Sequence, residues 1–189
     1  MRNLKMNTTV FILSMFSYAG VAAQEEKEVN TQNSKITWKG HKVAGSHEGT
    51  IQIKEGSLVF DKDKLKGGKF TADMTSISND DLSGEWKEKL EGHLRSEDFF
   101  NVDEHPESKL IFTNVEEKNG KYLVTAELTI KEITNPVTFE MELLDNSAKA
   151  KLKIDRTKYE IRYGSASFFN NLKDKAISNE FDLEVALIF

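Results

Sequence analysis

The strongest constraint on the fold is a two-residue alternation of apolar and polar side chains that recurs along most of the chain. The clearest runs cover residues 122–130 and 181–187, where every second residue is apolar. Because a strand sends successive side chains to opposite faces, each run predicts a strand with one buried face and one solvated face. Further runs of this kind lie at 36–38, 47–53, 70–74, 137–143 and 148–154.

These runs predict an all-β domain with one or two short helices. About eight strands joined by tight turns, such as Gly67-Gly68 and Asn135-Pro136, must hide their apolar faces. Closure into an antiparallel barrel hides them and removes open sheet edges, and a two-sheet sandwich also hides them. A barrel of about eight strands can be filled by side chains or can hold one small ligand. The alternation is compatible with all of these.

Residues 1–23 have the pattern of a secretory signal peptide. Arg2 and Lys5 precede the apolar run 10–16, and small residues follow before the chain turns polar at Gln24. The apolar run is too short to cross about 30 Å of hydrocarbon comfortably. We therefore expect cleavage after Ala23 rather than a membrane anchor.

After this cleavage the protein would be periplasmic or secreted. We expect a flexible N-terminal segment over 24–33 and one domain over 34–189, because the alternation starts only after the polar segment. The chain has no cysteine, which excludes disulfides, zinc–thiolate sites and thiol nucleophiles. Its net charge of −5 disfavours nucleic acid as a partner. No later segment is apolar enough to predict a transmembrane anchor.

Two segments interrupt the strand pattern. Trp86, Leu90 and Leu94 lie four residues apart and predict an amphipathic helix, for which Asp80-Asp81 is a plausible N-cap region. The helix is followed by Phe99-Phe100. A second break, the loop 163–172, contains another pair of adjacent phenylalanines. Two adjacent residues cannot both face inward on one strand, so we interpret each pair as a cap over a cavity.

The sequence offers little catalytic or metal-binding chemistry. The four histidines show neither helical i, i+4 spacing nor the spacing of a zinc site, so no metal is expected. No G-x-S-x-G, Walker or G-x-G-x-x-G motif is present. His47 has the inward parity of its strand. It is either a hydrogen-bonded histidine in a partly polar barrel mouth or a group that contacts a ligand.

The aromatic and aliphatic residues are either packed core or the lining of a ligand pocket. Our candidates for the cavity and its lid are Trp38, Ile51, Phe70, Met74, Leu94, Phe99, Phe100, Phe112, Leu128, Phe139, Phe168 and Phe169. Our candidates for contact with a polar head group are His47, Arg95, Arg156 and Tyr163. For the arginines the alternative is a surface ion pair.

Together these segments resemble the YceI family of bacterial polyisoprenoid-binding, lipocalin-like periplasmic proteins. The stretches that carry the resemblance are 38–51, 67–77, 93–100, 128–139 and 155–165. They follow the family's order over nearly the whole chain after residue 33. The chain departs from it at Glu132, where many members have glycine, and at Asn135, where lysine or arginine is more usual.

The resemblance implies an eight-stranded antiparallel, lipocalin-like barrel with an elongated apolar cavity. It implies a binding protein rather than an enzyme, with no cofactor other than a bound lipid. The expected partner is a long-chain amphiphile: a polyisoprenoid, an isoprenoid quinone or a fatty amide or acid. A homodimer is compatible with the sequence. The alternatives are a partner-binding or stress-response module with a filled barrel, and a hydrolase that uses His47 on a small hydrophobic substrate.

Overall fold

The computed structural model describes residues 24–189, apart from the side chain of Lys173. The predicted signal peptide at 1–23 lies outside the described residues. Within them the chain forms nine strands, one α-helix and two short 3-10 helices. The elements are β1 (Glu25–Glu28), β2 (Lys35–Lys42), β3 (Gly45–Asp61), β4 (Lys64–Asn79), α1 (Gly84–Arg95), β5 (Glu107–Lys118), β6 (Lys121–Ile130), β7 (Ile133–Leu144), β8 (Ser147–Asp155) and β9 (Ile177–Ile188), with the 3-10 helices at Arg156–Tyr159 and Lys173–Lys175.

Strands β2 to β9 form a closed antiparallel barrel. Each strand pairs with the next along the chain, and β9 returns to pair with β2, as in the pair Trp38↔Leu183. The prediction of an eight-stranded antiparallel barrel is therefore confirmed. Closure gives each of the eight strands a partner on both sides, so their apolar faces share one interior.

The segment predicted to be flexible, 24–33, contains the short strand β1. It pairs antiparallel with the end of β3, as in Glu26↔Val59, and Val29 behind it is buried. The physical reason is the length of β3, which has 17 residues. Its first half pairs with β2, and the edge of its second half would be unpaired without β1. Polar composition alone does not reveal such an edge.

The alternation in the sequence corresponds to burial in the barrel. In β6, Tyr122, Val124, Ala126, Leu128 and Ile130 are all buried, and the residues between them are partly or fully exposed. This strand continues into β7 through a two-residue loop, Lys131-Glu132, in which both residues have positive φ (51° and 62°). That backbone favours glycine, so the departure at Glu132 falls where glycine would be most comfortable.

Helix α1 packs only its last turns against the barrel. Leu94 is buried and Leu90 is partly buried, but Trp86 is 71% exposed. The prediction of an apolar stripe is therefore wrong for Trp86, which lies in the first turn of the helix. The residue that precedes the helix is Ser83, so the predicted capping by Asp80-Asp81 is also wrong.

We expect Gly49→Ala to disrupt the barrel where β3 crosses β4. A Cβ on Gly49 would lie 1.8 Å from the backbone oxygen of Ser78, the same oxygen that accepts a hydrogen bond from the Trp38 indole at 3.0 Å. Overpacking against backbone should lower the free energy of unfolding by at least about 2 kcal/mol, measured by urea denaturation. Gly40→Ala is the control, since its Cβ would meet nothing closer than Trp38 Cζ3 at 3.9 Å. Equal stability of the two variants would contradict this account.

Candidate ligand-binding site

The barrel interior contains an apolar cavity of about 110 Å³, counted as the space open to the centre of a water molecule. Every strand of the closed barrel contributes to its wall. Of the predicted lining residues, Ile51, Phe70, Met74, Phe100, Phe112, Leu128 and Phe139 surround this space. We call it the main cavity.

The main cavity is long and thin. Alternate residues of β9 follow its wall from Phe181 to Leu187. Six residue steps in a strand span roughly 20 Å, so a small volume is spread along much of the barrel. This shape suits an extended chain better than a compact molecule.

Two hydroxyl-bearing residues, Thr71 and Ser108, also line the main cavity. Thr71 Oγ1 donates to Glu55 Oε1 at 3.2 Å. The buried Ser108 Oγ has no hydrogen-bond partner among the described residues. The wall is therefore almost entirely apolar, and Ser108 is its one unpartnered buried hydroxyl within 24–189.

A second cavity of about 60 Å³ lies beside the main one, next to the end of α1. The predicted residues Trp38, Leu94 and Phe99 line it together with Ile77 and Arg156. We call it the polar-end cavity, because a buried cation forms part of its wall.

Phe100 stands between the two cavities and lines both, as do Ile51 and Phe181. Its ring packs edge-on against Phe99 with 5.1 Å between centroids, and its N–H donates to the Leu94 carbonyl at 3.1 Å. The segment after α1 therefore contributes one ring to the partition and one to the wall of the polar-end cavity. This is the lid-like position that the Phe99-Phe100 pair predicted.

Arg156 is the most unusual polar residue of the interior. It is only 2% exposed, and its guanidinium lies 5.7 Å from the centroid of Phe99. Its Nε, Nη1 and Nη2 donate to the carbonyls of Ser178 (2.9 Å), Ile161 (2.7 Å) and Ile177 (3.1 Å).

These three bonds occupy three of the five N–H groups of the Arg156 guanidinium. Within residues 24–189 it forms no ion pair with a carboxylate at 4.0 Å or less. Burial lowers the pKa of the guanidinium, and the charge of Asp155 opposes this. An arginine stays charged in proteins, so the wall of the polar-end cavity contains a positive charge that no carboxylate of the described residues pairs directly, although Glu180 also lines this cavity.

The other head-group candidates do not line either cavity. His47 Nδ1 lies 2.8 Å from Asp81 Oδ2, so its imidazole is held at the barrel end rather than inside. Arg95 Nη2 donates to the Ile77 carbonyl at 2.6 Å. Tyr163 is about half exposed and packs edge-on against His93 with 4.3 Å between centroids. His47 keeps the parity of Gly49 and Ile51 but lies near the start of β3, where the Asp81 carboxylate of the β4–α1 connection is within reach. It is therefore a hydrogen-bonded histidine of the barrel mouth and not a residue of the cavity wall.

Phe168 and Phe169 are likewise not lid residues. They are 48% and 49% exposed and do not contribute to the wall of either cavity. A tight turn explains their position, since the N–H groups of both residues donate to the Ser165 carbonyl at about 3.0 Å. That turn faces both rings away from the barrel.

Strands β2, β3, β7, β8 and β9 supply lining residues that the sequence analysis did not select. The alternating pattern contained the signal for them, since they are the inward positions of their strands. They are Ile36, Ile53, Met141, Ala150, Leu152, Phe181, Leu183, Val185 and Leu187.

Within residues 24–189 no group of three or more His, Cys, Asp or Glu side chains could hold a metal ion. In the same residues no helix has the length and apolar character needed to cross a membrane.

Comparison with known families matches residues 28–189 to the YceI-like domain. A UPF0312 protein of Photorhabdus laumondii is 35% identical over 96 residues, which cover 51% of this chain and 48% of the relative. Protein YceI of Salmonella newport is 26% identical over 145 residues, 75% of this chain and 74% of the relative. The chain spans about half the length of the first of these relatives.

Solved structures share the fold at low sequence identity. BcnA of Burkholderia cenocepacia superposes with a TM-score of 0.66 at 20% identity, covering 85% of this chain and 99% of that one. A polyisoprenoid binding domain from Saccharophagus degradans gives a TM-score of 0.56 at 14% identity, covering 85% and 95%. A YceI protein of Campylobacter jejuni gives 0.51 at 15% identity, covering 100% and 99%.

We expect the Asp81 carboxylate, which ties the start of β3 to the β4–α1 connection, to make stability depend on pH. Burial alone would raise its pKa, but hydrogen bonds from Glu48 N (3.0 Å), His47 and the Asn79 amide lower the pKa to about 2. In the unfolded chain an aspartate titrates near 3.9. The carboxylate therefore stabilises the fold above about pH 4, and this contribution is lost as the pH falls through about 2.

Asp81→Asn should remove that contribution, which amounts to roughly 1–2 kcal/mol once solvent screening is allowed for. Urea denaturation at pH 7 and pH 2.5 measures it, and the variant should show a smaller difference between the two than the wild type. The control is Asp145→Asn in the exposed β7–β8 turn. A wild-type pH dependence retained in Asp81→Asn would refute this assignment.

Proposed function

Because the chain belongs to the YceI-like domain family, we propose that it binds a long-chain amphiphile inside its barrel. The apolar chain of the ligand would occupy the main cavity, and its polar end would lie beside Arg156. The observation that carries this proposal is a thin apolar cavity along the barrel that meets a buried cation at one end. The related fold described as a polyisoprenoid binding domain supports the same class of ligand.

The main cavity supplies the binding energy. Removal of each methylene from water is worth about 0.8 kcal/mol, so ten buried carbons contribute roughly 8 kcal/mol. This is comparable with the cost of association, about 4–15 kcal/mol. Useful affinity therefore requires a chain that fills the cavity. A longer ligand must also displace the Phe100 ring that separates the two cavities.

Arg156 favours an anionic head group. A buried guanidinium with two unused N–H groups can donate both to a phosphate or carboxylate, and the neighbouring low dielectric strengthens such bonds. Among the ligands that the sequence suggested, this favours a polyisoprenoid phosphate or a fatty acid over a neutral quinone or a fatty amide.

We propose a passive role, binding and release without chemistry. The alternative of a partner-binding or stress-response module predicted a solidly filled barrel, and the cavity argues against it. The alternative of a hydrolase depended on His47, whose ring pairs with Asp81 outside both cavities.

We further propose that the protein works outside the cytoplasm, in the periplasm or as a secreted protein, after cleavage near Ala23. The support is the order of charged, apolar and small residues in 1–23.

The first test is to identify the bound molecule. We expect organic extracts of the protein, purified from its native host without detergent, to contain one amphiphile in near-stoichiometric amount by mass spectrometry. Titration of emptied protein should then show tighter binding of a polyprenyl phosphate than of the matching polyprenol, since only the phosphate can pair with Arg156. Empty extracts together with no binding of either lipid would overturn the proposed function.

Ala150→Leu should block the main cavity while leaving the fold intact. Ala150 is buried and lines this cavity, so the added carbons would fill open space. We expect affinity for the polyprenyl phosphate to fall at least tenfold, with an unchanged or raised melting temperature. Lys151→Leu is the matched control, because it adds leucine one residue away on the outer face, where Lys151 is exposed. Equal affinity of both variants would show that the ligand binds elsewhere.

A further inference from the structure

The exposed phenylalanines form part of an apolar surface at one end of the barrel. It comprises Val43 (71% exposed) in the β2–β3 turn and Tyr163 (47%), Phe168 and Phe169 in the loop before β9. The two segments meet, since Val43 N donates to the Ala176 carbonyl at 3.2 Å. Val43, Ala166 and Ile177 also line one shared groove. We call this set of four residues the rim patch.

The loop that carries the rim patch is held in place. Ser165 is fully buried, and its Oγ lies 2.6 Å from Asn179 Oδ1. Asn179 Nδ2 in turn donates to Ser167 Oγ at 2.8 Å, and Ile177 N donates to the Gly164 carbonyl at 2.8 Å. The turn is thus tied to the start of β9 on both sides. These bonds hold the backbone so that Phe168 and Phe169 stay exposed, although burial of their rings would be favourable.

The chain around the rim patch is basic, in contrast to the whole protein. Residues 157–176 contain four basic and two acidic residues, a net charge of +2, whereas the full chain carries −5. The Arg162 guanidinium lies 4.9 Å from the centroid of Phe168. The exposed Lys42 lines the groove together with Glu180, and the exposed Lys175 directly precedes Ala176 in its wall. Aromatic rings with flanking cations are the combination that binds the interface of an anionic bilayer.

The rim patch is also continuous with the polar-end cavity. His41, Ile177 and Ser178 line both that cavity and the groove beside Val43. Arg156 donates to the carbonyls of two of these residues, Ile177 and Ser178. A surface held against the rim patch would therefore lie next to the cavity wall that contains the buried cation.

We propose that the rim patch docks the protein onto membranes rich in anionic lipid. Phe168 and Phe169 enter the interface between head groups and acyl chains, and the surrounding lysines and Arg162 contact lipid phosphates. The polar-end cavity then faces the bilayer, so an amphiphile would exchange with the membrane at this end. Docking itself requires no bound ligand and can be tested separately from the proposed function.

The test is cosedimentation of the purified protein with two kinds of vesicle, phosphatidylcholine alone and phosphatidylcholine with about 30% phosphatidylglycerol, because anionic lipid attracts basic segments. All variants must have the same N-terminus, verified by intact mass. We expect the wild type to bind the anionic vesicles, to bind the neutral ones at least tenfold more weakly, and to dissociate in 0.5 M salt because screening acts on exposed charges.

The deciding variant is the double substitution Phe168→Ser and Phe169→Ser, which should lower vesicle binding at least tenfold while leaving the melting temperature unchanged. Its control is Leu144→Ser. Leu144 is 55% exposed beside the β7–β8 turn, and β8 runs from that turn to the basic loop over roughly 27 Å. The control should bind vesicles as the wild type does.

Three results would overturn the docking proposal. In the first, the wild type binds neither kind of vesicle, which would assign the rim patch to a protein partner. In the second, it binds neutral and anionic vesicles equally. In the third, Leu144→Ser loses as much vesicle binding as the double phenylalanine variant. None of these results would contradict the proposed function, because that proposal is tested by the lipid content of the extracts. Conversely, vesicle binding by a protein that never holds an amphiphile would overturn the proposed function alone.

Discussion

The pairing of β3 with both β2 and β4 closes the barrel, and the remaining structure depends on it. Without this closure the apolar faces of eight strands would be open to water and to other chains. With it, side chains from all eight strands point into one space. They do not fill that space, and a thin apolar cavity remains. The strands approach most closely at Gly49, where the Ser78 carbonyl leaves no space for a side chain. This contact therefore constrains how β3 packs against β4.

Arg156 links this interior to the surface. Its three bonds to backbone carbonyls join the end of β8 to the start of β9 across a loop of about twenty residues. A buried cation without a carboxylate partner is costly, yet the site keeps two N–H groups unused beside a cavity. The same carbonyl contacts hold the base of the loop that exposes Phe168 and Phe169. Ligand binding and membrane docking would therefore share one structural support.

The cavity could be predicted from the sequence better than its polar end could. Six strand candidates line the main cavity because strand parity is fixed by a period of two, and the seventh, Phe100, lies after α1. His47 obeyed the same parity but lies at a strand end, where the nearest carboxylate, Asp81, determines its position. Phe168 and Phe169 are in a turn with no period, so no pattern in the sequence shows where they point. Trp86 has helical spacing, but α1 extends beyond the surface that could bury it.

The sequence by itself determined most strands of the barrel, their inward faces and the helix after β4, since each depends on local spacing and on apolar side chains leaving water. Tertiary structure alone decided which polar groups meet the interior. Arg156 became buried because carbonyls from residues 161, 177 and 178 converge on it, while Arg95 and Tyr163 found partners outside the cavities. Hydrogen-bond partners distant in sequence cannot be deduced from periodicity, because periodicity reports only the face of an element and not what lies opposite it.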